Sequence, residues 1–95
     1  MAIDKAEVGK RLKAIRVVSG IERKEFVRRL AIGVLADWNN YEDARMLLTV
    51  QIAAKLIDLV PGLTLDWIFF GRTSGLDDDL HCRLAAAAND TGKAA

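Results

Sequence analysis

One cysteine, one proline and one histidine in 95 residues exclude several kinds of protein at the outset. A lone thiol, Cys82, cannot close an intrachain disulfide, so a reducing compartment is the simplest setting. His81 and Cys82 stand side by side with no third donor nearby, which falls short of a metal site. The Asp77-Asp78-Asp79 run lacks the alternation and the closing Glu of a calcium loop. There is no Ser/His/Asp or Cys/His set, no glycine-rich phosphate loop, and no carboxylate pair beside an apolar pocket signature. Neither enzyme activity nor a cofactor is therefore expected. The start, Met1 to Lys5, meets charge at once without an apolar signal core, which predicts a cytoplasmic protein. The apolar stretch from Met46 to Phe70 is interrupted by Lys55, Asp58, Pro61 and Asp66, so it reads as core and not as a membrane span. No internal repeat and no strand pair with a hairpin turn is visible.

What remains is 52% hydrophobic and 28% charged, the balance of a folded domain. The net charge is only +1, yet it is sorted along the chain. The first thirty residues carry nine basic side chains against four acids, and the rest carry five against nine. Such sorting suits a basic face turned toward a polyanion, and equally two ordinary solvated helices.

The periodicity is helical. Asp4-Lys5-Ala6-Glu7 has the form of a capping box, and Val8, Leu12, Ile15 and Val18 then mark one helix face up to Ser19-Gly20. A second helix is expected over Arg23 to Leu30, with Phe26, Val27 and Leu30 inward, then a break at Ala31-Ile32-Gly33 and a third helix over Val34 to Tyr41. Thr49 caps a fourth, Val50 to Val60, apolar outside Gln51, Lys55 and Asp58 and so expected to be surrounded on most sides. Thr64 caps a fifth, Leu65 to Phe70, closed by Gly71. The expectation is an all-α, five-helix domain over residues 4–71. A short polar and alanine-rich C-terminal tail follows over 72–95, with at most one marginal helix after the aspartates.

Two helices across a three-residue break suggest a helix-turn-helix. Arg11-Leu12-Lys13-Ala14-Ile15-Arg16, Gly20-Ile21, Glu25 to Leu30, Asn40-Tyr41-Glu42 and Leu63 to Gly71 together resemble the Cro/repressor-type (XRE-like) family of DNA-binding domains. The chain departs from that pattern where Glu22 stands for Ser or Thr, Arg23 for Gln, and Ala31 and Ala44 for glycines. The resemblance implies a repressor-like transcriptional regulator of phage or prophage type, binding double-stranded DNA as a homodimer through its third helix. It also implies an ion pair between Arg16 and Glu42, the alternative being two separate exposed charges.

Arg23, Lys24, Arg28, Arg29 and Arg45 are the candidate phosphate contacts, since guanidinium groups and helix N-termini suit phosphate oxygens. Val34, Leu35, Ala36, Asn39 and Asn40 are the candidate base contacts: Asn can pair with adenine, and small apolar side chains can meet a thymine methyl. Asp37 and the absence of Arg, Lys or Gln on this helix favour another class, a protein-interaction module such as an antirepressor or antitoxin-like adaptor, whose partner is a second regulatory protein. Trp38 suits the core, or a platform for an unpaired base. Trp67, Ile68, Phe69 and Phe70 exceed what a short helix can bury beneath itself. Leu63, Ile68 and Phe69 are therefore expected in a dimer interface, unless residues Leu76 to Ala88 fold back over them.

Overall fold

The computed structural model describes residues 3–31 and 35–93, with the side chains of 35, 36 and 89–93 outside that description. The described residues form six α-helices and no strand: α1 (Lys5–Ser19), α2 (Arg23–Leu30), α3 (Leu35–Glu42), α4 (Val50–Leu59), α5 (Leu65–Phe70) and α6 (Asp78–Lys93). Four of the helices begin where a side chain accepts an orphan backbone N–H. The Asp4 carboxylate accepts from Ala6 and Glu7, the Thr49 hydroxyl from Ile52, and the Thr64 hydroxyl from Trp67. Asp77 does the same for α6, accepting from the Leu80 N–H at 3.0 Å. Glu22, ahead of α2, makes no capping hydrogen bond. Glu7, expected to reach back to the start of α1, instead lies 3.6 Å from Lys10.

The core is one cluster. Val8, Leu12 and Ile15 of α1 meet Phe26 and Leu30 of α2, Trp38 of α3, Leu56 of α4, Ile68 of α5, and Leu80 and Leu84 of α6, all essentially inaccessible. α1 is the central element, packed against α3, α5 and α6; α2 rests on α3 and α4.

Three expectations are corrected here. Beyond residue 71 the chain is no mere tail: Leu80, Leu84 and Ala87, spaced by four and three, bury one face of α6, with Leu76 buried just before it, and this helix makes its main packing against α1. Alanine-rich helices are marginal alone, and this one is held by tertiary contact. Leu63, Ile68 and Phe69, expected on a dimer face, are buried in the chain's own core. α5, packed against α1 and α4, turns three consecutive large side chains (Trp67, Ile68, Phe69) away from water and leaves Phe70 at the edge under the Arg72 guanidinium. Finally, α4 is less enclosed than its composition suggests. Only Ala53 and Leu56 are fully buried within it, and Val50 is 60% exposed.

The backbone carries two more features. Ala31 (φ 52°) and Ala44 (φ 64°) are the non-glycine residues in the left-handed region among the described residues. They close α2 and follow α3, at the two places where the resemblance expects glycine. Conversely, Gly9 sits in mid-helix because α3 ends against it: a Cβ there would lie 2.6 Å from the Glu42 carbonyl oxygen and 3.1 Å from that of Tyr41. Ala44→Gly should therefore stabilise the protein by about 1 kcal/mol, by removing left-handed strain. Gly9→Ala should destabilise it by about 1–3 kcal/mol, although alanine is the better helix former. Urea unfolding of the two variants checks both signs.

Candidate functional site

α3 is fixed from below by one carboxylate. Glu42, its last residue, has a side chain only 5% exposed. Arg16 of α1 donates to it twice, Nε to Oε2 at 2.7 Å and Nη2 to Oε1 at 3.3 Å, the parallel two-bond geometry that a planar guanidinium allows. The indole N–H of Trp38, one turn earlier, donates to the same Oε2. Arg23, the first residue of α2, brings Nη2 to 3.6 Å from Oε1. Three helices thus converge on Glu42. Trp38 is fully buried, with its ring tilted against Phe26 at 5.1 Å and edge-on to Tyr41 at 6.3 Å, so it is a core residue and no platform for a base.

Above this anchor the candidate contact residues divide. Asn39 and Asn40 are half-buried on α3, and Asp37 is partly exposed beside them. Asn39 Oδ1 accepts from Arg23 Nη1 at 3.0 Å. The Asn40 carbonyl accepts from the backbone N–H of Arg45 at 2.9 Å and of Met46 at 3.2 Å, so the chain folds tightly back after α3. Val34 lies outside the described residues, as do the side chains of Leu35 and Ala36.

The basic residues are mostly engaged already. Arg28 and Arg29, three and four residues on and so about one turn along the same helix face, both grip Glu25, with Arg29 Nε at 2.9 Å from Oε2. The hydrogen bonds from Arg28 and then Arg29 hold the Glu25 carboxyl down at about 2, so it stays ionised and keeps both cations occupied at any neutral pH. Lys24 and Arg45 are exposed. Arg11, counted in the sequence with the basic face, points elsewhere: its Nη1 donates to the Ile68 carbonyl at 3.2 Å, at the C-terminal end of α5 against Gly71. Burial pulls its pKa down, opposed by Glu7 and Asp4. Its place in a basic run hid this structural role, as nothing in the run separates it from its neighbours.

Among the described residues no group of three or more His, Cys, Asp or Glu gathers as a metal site, and no helix is long and apolar enough to cross a membrane. Compared with protein-family models, with curated proteins and with solved structures, the chain matches none.

Removing the anchor should be costly. Glu42→Ala leaves the Arg16 guanidinium, with its side chain 15% exposed, without a carboxylate, and is expected to lower stability by about 3–5 kcal/mol. Glu42→Gln keeps an acceptor for the Trp38 N–H and should cost clearly less. Denaturant unfolding followed by tryptophan fluorescence measures both.

Proposed function

We propose that this protein is a DNA-binding transcriptional regulator of the Cro/repressor type that lays α3 against duplex DNA. The observation that carries the reading is the rigid mounting of α3: a left-handed turn residue, Ala31, closes α2, and Glu42 is tied to Arg16, Arg23 and Trp38, while Asn39 and Asn40 remain partly accessible beside Arg23. A helix that reads bases must keep its orientation within a groove, and a buried two-bond ion pair provides that. Lys24 and Arg45 supply exposed positive charge for phosphate oxygens, which position a protein without reading sequence, and Arg28 and Arg29 add to it where phosphate displaces Glu25. In this reading the protein acts in the cytoplasm as a binding protein and not as an enzyme.

A homodimer on neighbouring half-sites would have to pair through a surface other than Leu63, Ile68 and Phe69. Met46, Leu47 and Val50, which follow α3 directly, are 50%, 38% and 60% exposed. These apolar side chains have nothing to offer a phosphate, and they favour the second reading, a protein-interaction module whose partner is another regulatory protein.

Binding of the chain to mixed-sequence duplex DNA across a range of salt concentrations tests the first reading, since released counterions make log K fall linearly with log salt, by about 0.9 per phosphate neutralised. A steep slope is expected. Glu25→Gln should steepen it further and tighten binding at low salt, because it releases Arg28 and Arg29 from their internal carboxylate. An absence of duplex binding at ~50 mM salt would sink the DNA reading in favour of the protein partner.

A further inference from the structure

Arg23 and Asn39 are joined across the α2–α3 pair by a hydrogen bond whose polarity is forced. A guanidinium carries five N–H donors and no acceptor, so an amide facing it can only turn its carbonyl oxygen inward. Asn39 does so, with Oδ1 at 3.0 Å from Arg23 Nη1. The orientation is held from the other side as well, because Arg23 Nη2 lies 3.6 Å from the nearly buried carboxylate of Glu42, one turn further along α3. Glu42 fixes Arg23, and Arg23 fixes the amide.

The consequence is chemical. With its carbonyl oxygen turned to Arg23, Asn39 has its NH2 group to offer a ligand, and Arg23, with its side chain 39% exposed, adds only further N–H donors beside it. The edge formed by these two residues donates and does not accept. Adenine, the usual partner of asparagine in the major groove, offers one donor and one acceptor and needs both atoms of the amide. Guanine offers two acceptors, N7 and O6, and matches a donor-only edge. We infer that Arg23 sets the specificity of Asn39, making this pair a reader of guanine in preference to adenine. The inference rests on the DNA-binding reading above. Arg23 is a positioning residue in it, and Asn39 touches the base.

Selection of the full chain on a randomised duplex library at low salt, followed by sequencing of the bound pools, tests this. The parent pools should show guanine favoured over adenine by about tenfold at one position of the site. Asn39→Asp keeps the partner of Arg23, indeed strengthens it with a charge, but replaces the NH2 donors with an acceptor. Its pools should lose guanine at that position alone, with helicity by circular dichroism unchanged. Arg23→Gln frees the amide to turn either way and should admit adenine there. Adenine in the parent pools at the position that Asn39→Asp alters would overturn the inference, as would a guanine preference that neither variant moves; both leave DNA binding standing. Duplex binding by the parent without any enriched sequence overturns base reading altogether. No duplex binding by the parent overturns the DNA reading itself.

Discussion

The Glu42 carboxylate is the constraint on which the arrangement of the first three helices depends. A carboxylate with a side chain only 5% exposed is costly unless its lone pairs are filled, and here Arg16 and Trp38 fill them while Arg23 lies close. Each partner belongs to a different part of the chain, so satisfying one charge sets the positions of α1, α2 and α3 together. The close backbone approach of Gly9 to the end of α3 reinforces this, because it lets the two helices meet without an intervening side chain. Hydrophobic contact alone would favour association of these helices without fixing their rotation. The directional bonds at Glu42 do that.

Charge at the surface is handled differently from charge at the anchor. Arg28 and Arg29, both exposed, share the half-buried Glu25, a pairing that contributes little to stability because water screens it. Its effect is on binding: a polyanion approaching α2 must compete with an internal carboxylate for two of its most obvious cations. Net charge along the sequence therefore overstates the positive potential that α2 presents. The same carboxylate gives the surface a means of tuning affinity without altering the core.

Around this framework the chain tolerates local strain where the architecture needs a turn. Two alanines hold left-handed conformations, at the end of α2 and just after α3, where a glycine would cost less. The turn geometry survives because the helices on either side are already tied down. Strain of this order is small against a core that runs through all six helices.

The boundaries of α1 and α5 were legible in the residues, because capping groups, closing glycines and apolar periods are local signals that do not depend on what packs against them, and α2 was legible from its apolar period alone. The pairing of Arg16 with Glu42 was legible only through resemblance, since no local pattern links two charges 26 residues apart. The role of α6 was legible only as an alternative, the folding back of residues Leu76 to Ala88: two leucines in an alanine-rich run give a weak amphipathic signal, and their weight comes from the face of α1 that receives them. For the same reason the burial of Ile68 and Phe69 could not be inferred from α5 alone. Nor could the sequence show that Arg11 closes the end of α5, or that Arg23 holds the Asn39 amide by its oxygen. The amino-acid sequence by itself determined where helices start and stop and which faces are apolar, through short-range capping and periodicity. Only the tertiary structure decided which charge meets which, because a side chain's partner is set by how distant helices are brought together.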